Sequence, residues 1–235
     1  MLEEPTLDAA RQTLDRSLVT ALTASLAHRR TQGQTRGQTP SPDAEALMLR
    51  DLLQQAPDPN HAAILKAVSG RLSALSGTTP VACGPVAQVL AADRFGPCAA
   101  VETPEAALEQ AGRGARALID IAAARPWWGR LLARPDLRVT AALPDDADAL
   151  PRALMVAAAR PGPTGGDRTF WVTDASLPDA RIVEAMANLG LSARPLAAGG
   201  GLKLFLLAGY VQAEDGRLMQ APGSLKGVIG AAAVF

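Results

Sequence analysis

The sequence predicts a mixed fold, in which an N-terminal all-α helical unit is followed by an α/β unit and then by an α+β unit. Three observations carry this reading. Leu7, Leu14, Leu18, Leu22 and Leu26 recur at helical steps, the pattern of an amphipathic helix with one buried face. From Thr79 the pattern changes to short β-prone runs alternating with helices, the mark of an α/β unit. From Arg152 the order becomes strand, helix, strand, strand, the start of a ferredoxin-like sandwich. The three units are expected over residues 1–77, 78–150 and 151–235.

After the first helix, TQGQTRGQTPSPD is a polar stretch with the composition of a loop. Ser41 and Pro42 then form an N-cap and first helical position for AEALMLRDLLQQ. Asp58 and Pro59 open a third helix whose Ile64, Val68, Leu72 and Leu75 share a face, and Gly77 is its expected stop. The α/β unit is read as strand PVACG, helix PVAQVLAADRFG, strand ALIDIA, helix WWGRLLA and strand LRVTAAL. In the last unit ALMVAAA and the turn PGPTGGD precede strand TFWVTD and helix LPDARIVEAMANLG. Strands SARPLAA and LKLFLLAGYV and a closing VIGAAAVF follow.

Composition narrows the function. The 235 residues carry 23 basic and 23 acidic side chains, so no global field draws the chain to nucleic acid or to an anionic membrane. Aromatic residues make up 3% of the chain, too few for the stacking platforms of single-strand binders. No apolar run reaches spanning length, and the charged first helix is unlike a signal peptide. Cys83 and Cys98 lack metal-ligand spacing and read as reduced thiols of a cytoplasmic protein. No cofactor or metal is expected. GRGAR lacks the dinucleotide-binding spacing and GSLKG the phosphate-loop spacing, so both read as turns. His61 reads as a solvated side chain, and of Trp127 and Trp128 one is expected in the core and one partly exposed.

Arg11 and Arg29 break the apolar stripe of the first helix, since both fall on its leucine face. A guanidinium there is paired, escapes to water, or binds an anion. The helix terminus suits Arg29, and the Arg11 stem can snorkel or pair with Asp8 or Asp15, so the structural and ligand-binding accounts both stand.

The run L-x3-R-x2-LD-x2-L-x3-L, with the polar loop and SPDAEALMLRDLL, resembles the all-helical chorismate mutases. The remainder resembles a shortened prephenate dehydratase, through VACGPVAQVLAADRFG, ALIDIAAAR and ALPRALMVAAARPGPTGGDRT. From Thr169 it resembles the ACT regulatory fold, with Ser192-Ala193-Arg194-Pro195 at that family's Glu-Ser-Arg-Pro. The resemblance therefore makes the last unit ACT-like.

Rearranging chorismate to prephenate needs no nucleophile, metal or general base; it needs a flexible dicarboxylate held in its reactive shape and donors at the ether oxygen. Arginines suit the carboxylates because their planar fork makes two parallel charged hydrogen bonds. The resemblance assigns catalytic roles to Arg11, Arg29 and Glu45 and substrate-binding roles to His28, Arg36 and Ser73. His28 stands at the family's second helix-one arginine, with Arg29 one position on, and Arg36 stands in for its lysine. Ala44 replaces the arginine before Glu45, and Gly77 replaces the glutamine that contacts the ether oxygen. The implied function is a chorismate mutase, an intramolecular isomerase, with a remodelled site; the alternative is a non-catalytic ligand- or partner-binding regulator on the same architecture. Dehydration of prephenate is not expected, since Ala122, Ala123, Ala124 and Pro151 replace the polar groups it needs. Arg11 and Arg29 lie about 27 Å apart along a helix, too far to grip one small ligand from one subunit. A homodimer through the helical unit is therefore expected, with a small dicarboxylate as ligand and neither nucleic acid nor membrane as partner.

Overall fold

The chain is described here from a computed structural model, which covers residues 41–54, 56, 58–76 and 80–235. The first helix and the expectations placed on Arg11, His28, Arg29 and Arg36 lie outside the described residues. Helix α1 spans Pro42–Gln54 and α2 spans Pro59–Ser76, each with proline at its first position as expected. Asp58 caps α2, its Oδ1 accepting from the His61 amide at 2.9 Å.

The nine strands among the described residues belong to one mixed sheet, and this corrects the expected separation into an all-α unit, an α/β unit and an ACT-like α+β unit. The strands are β1 Val81–Cys83, β2 Ala99–Val101, β3 Ala117–Asp120, β4 Arg138–Leu143, β5 Ala153–Ala157, β6 Asp167–Thr173, β7 Ala193–Gly199, β8 Leu202–Ala208 and β9 Lys226–Ala233. Their order in space is β2-β1-β3-β5-β4-β9-β6-β8-β7. Helices α3 (Pro85–Phe95), α4 (Pro104–Gly112), α5 (Asp179–Asn188) and α6 (Gly216–Met219) are interspersed among the strands, so the fold is α/β. The expectation failed because periodicity reports local elements, whereas the joining pair is distant in sequence. The last strand, β9, runs parallel to β4 with Gly230 opposite Val139, and antiparallel to β6.

Alternation along the strands sorts side chains into cores on the two faces. Ala117 and Ile119 of β3 and Leu154 and Val156 of β5 share one core with Trp127, Trp128 and Leu131 of a 3-10 helix, Trp127–Ala133. Leu118, Ala153 and Met155 face the opposite way, against Ala87 and Ala91 of α3. Phe170 and Val172 of β6 join the first core, while Trp171 packs with Ile182 and Met186 of α5. Both Trp127 and Trp128 are fully buried, against the expectation of one partly exposed ring, because both join the core that the 3-10 helix shares with the sheet. His61 is buried too, at 4% exposed, against the expectation of a solvated side chain.

Helix α2 packs on α1 and on α3. Its crossing with α3 is close at Gly70, where a Cβ would stand 2.1 Å from the Arg94 carbonyl oxygen. This contact brings the C-terminal end of α3 under the helical pair and so positions the site.

Candidate functional site

Glu45 lies in the first turn of α1 and Ser73 near the end of α2, and the packing of the two helices brings them into contact. The Ser73 hydroxyl lies 2.9 Å and 2.8 Å from the two Glu45 carboxylate oxygens. Arg116, just before β3, donates from Nη1 to Ser73 Oγ at 2.8 Å and lies 4.0 Å from Glu45 Oε2. A hydroxyl has one proton and two lone pairs, so Ser73 donates to Glu45 while accepting from Arg116. The Arg116 guanidinium sits over the Phe95 ring, 5.7 Å from its centroid.

These groups line a cavity of about 390 Å³ between the helical pair and the sheet. Arg94, at the end of α3, lines it as well and reaches Asp145 Oδ2 at 3.3 Å. Asp145 is shared: Lys66 Nζ donates to its Oδ1 at 2.9 Å and to Asp146 Oδ1 at 2.8 Å. Burial pushes the Arg94 guanidinium below its ordinary value, and Asp145 acts in the opposite sense. The Nη1 of Arg94 is buried with no hydrogen-bond partner. Arg160 stands exposed at the rim, and Leu49, Phe95, Met155 and Phe235 supply apolar wall. The lining thus holds three guanidinium groups against two carboxylates, an excess of one positive charge beside apolar surface. That combination suits an anion with a hydrophobic ring.

Of the residues singled out in the sequence, Glu45 and Ser73 meet at this cavity. Arg94 and Arg116 were missed. Arg116 lay hidden in GRGAR, which does form a turn after α4, and Arg94 in the last turn of a helix otherwise rich in alanine. A charge facing the apolar run of α3 was the available signal for Arg94.

Ala122, Ala123, Ala124, Pro151 and Arg152 gather around a second cavity, of about 520 Å³. Among the described residues no group of three His, Cys, Asp or Glu side chains is arranged to hold a metal ion. Among them, too, no helix is long and apolar enough to cross a membrane.

No family model matches the chain, and no curated protein matches it. A solved structure described as "GqqA- a novel type of quorum quenching acylases" aligns at 14% identity, over 68% of this chain and 97% of that one, with a TM-score of 0.40. Similarity at that level bears neither on the fold of this chain nor on its activity.

Proposed function

We propose that the protein is chorismate mutase-like and holds a ring-bearing dicarboxylate of the chorismate class in the cavity between α1, α2 and the sheet. The observation that carries this reading is the Glu45–Ser73–Arg116 chain in the cavity wall, with Arg94 beside it. The guanidinium groups of Arg94, Arg116 and Arg160 serve the ligand carboxylates, and Phe95 and Phe235 bracket its ring. Rearrangement in such a site comes from holding the ligand compact, since the bond-making and bond-breaking atoms belong to one molecule. The proposal includes a cytoplasmic protein acting as a homodimer through its helical segment.

A second reading is a non-catalytic regulator that binds the same ligand without converting it. It is favoured by the pairing of Arg116 with Glu45 and of Arg94 with Asp145, which spends part of the positive field inside the protein. One experiment serves both. Purified protein is given chorismate while its disappearance is followed by absorbance, and thermal shift is recorded in parallel. Loss of chorismate above the buffer rate supports the mutase; saturable stabilisation without turnover supports the regulator. In either case Arg116→Ala should weaken the response about tenfold or more, the worth of a charged hydrogen bond. Neither turnover nor stabilisation by chorismate would remove both readings.

A further inference from the structure

The second cavity opens at the carboxyl ends of the parallel strands β1 and β3, where α/β sheets commonly receive ligands. It is built from residues other than those of the first cavity, and the two stand or fall separately. Two charged groups line it, Asp120 and Arg152, and they are in opposite states. Asp120 ends β3 and is committed: its carboxylate accepts from the amides of Val86 at 3.2 Å and Ala87 at 2.5 Å, capping the first turn of α3. Gly84 makes room for this cap, since a Cβ there would stand 2.3 Å from Asp120 Oδ2. Arg152 is exposed and has no ion-pair partner among the described residues. Its backbone is fixed, the carbonyl accepting from Ile121 N at 2.9 Å and the amide donating to Leu143 O at 2.8 Å.

The remaining side chains of the wall are apolar and close. Ala122, Ala123 and Ala197 present methyl groups, and the half-buried Leu196 a larger surface. The β7–β8 turn closes one side, with Gly200 so near Pro126 that a Cβ would lie 3.0 Å from its Cγ.

We propose that this cavity binds a small monocarboxylate with a compact apolar body, its carboxylate held by the Arg152 fork. One guanidinium neutralises one carboxylate. A second anionic group would meet Asp120, whose charge is already satisfied by the α3 amides, so a dicarboxylate is disfavoured. The methyl-lined wall offers shape and desolvation to a branched aliphatic body.

The test is calorimetric titration of the full chain with 3-methylbutanoate, 3-methylbutanamide and succinate. Saturable binding of 3-methylbutanoate is expected, about tenfold or more tighter than the neutral amide or the dicarboxylate. Arg152→Gln should weaken it by a similar factor, while Glu45→Gln, in the other cavity, leaves it unchanged. Ala122→Trp, which fills the cavity from an exposed position, should abolish binding with the melting temperature retained. If Arg152→Gln fails to fold, the Ala122→Trp result decides. The proposal is overturned by no saturable binding of 3-methylbutanoate, by equal affinity for succinate, or by undiminished affinity in folded Arg152→Gln or Ala122→Trp.

Discussion

Ser73 touches two side chains of opposite charge at once, donating to Glu45 and accepting from Arg116. Replacing it by alanine removes both hydrogen bonds and leaves the pair 4.0 Å apart without a bridge. Ser73→Ala should therefore lower stability by about 1–2 kcal/mol, read from the urea midpoint, and Ser73→Thr should keep most of it. An unchanged midpoint for the alanine variant would remove the bridging role. The two free thiols give a second prediction at this scale. Burial pushes both Cys83 and Cys98 up, and the negative charges of Asp120 and Glu105 push Cys83 further. Less thiolate is present at neutral pH, so iodoacetamide should modify both more slowly than an unstructured cysteine peptide. Faster modification of the folded protein would contradict the burial. Glu45 and Ser73 were singled out through the resemblance to the helical chorismate mutases, not through the period of their helices. Arg94 and Arg116 were not, because their partners Asp145 and Glu45 lie on other elements and only tertiary packing joins them.

Most elements announced themselves through chemistry confined to a few residues. Pro42, Pro59 and Pro85 open α1, α2 and α3, and Thr103 caps α4 by accepting from Ala106 N at 3.2 Å. The regular period of the apolar residues in α5 and the aromatic and β-branched run of β6 were equally plain. Strand β2 and helices α4 and α6 were overlooked, since a three-residue edge strand and a four-residue helix are shorter than any period can show, and α4 is largely alanine, glutamate and glutamine. α6 is held instead by its cap. Asp215 accepts from the Arg217 amide at 3.0 Å and pairs with its guanidinium at 2.7 Å, which lowers its carboxyl to about 2. A carboxyl depressed in the folded state stabilises above its unfolded value, and that contribution is lost as pH falls through the folded one. Here the window runs from about 3.8 down to about 2. The Asp215 carbon resonance should thus titrate with a midpoint near 2, and Arg217→Ala should return it toward the ordinary value. A midpoint near 4 in the parent protein would show that the cap is not formed in solution.

At the scale of the molecule, one backbone crossing holds the sheet together. The strands from β2 to β4 meet those from β9 to β7 only through β4 and β9, where Gly230 lies opposite Val139. Gly230 has φ 144°, and a Cβ there would stand 2.3 Å from the Val139 carbonyl oxygen and 2.4 Å from its nitrogen. Backbone on both sides leaves nothing flexible to yield. Gly230→Ala should accordingly cost about 3 kcal/mol or more, toward the upper end for an overpacked site. The effect should also extend to cooperativity. Val139, Leu154 and Trp128 from one side of the junction share a core with Phe170, Leu204 and Ile229 from the other, so neither set of strands keeps its buried surface alone. The three tryptophans report on the two cores, Trp127 and Trp128 in the shared one and Trp171 in that of α5. In the parent protein tryptophan fluorescence and far-ultraviolet circular dichroism should follow one thermal transition with coincident midpoints. In Gly230→Ala the strained junction should open first, separating the fluorescence of Trp171 from that of the other two, as single-tryptophan backgrounds would show. Two separate transitions in the parent protein would mean that its sheet is two independently stable units and that the β4–β9 crossing adds little to their union.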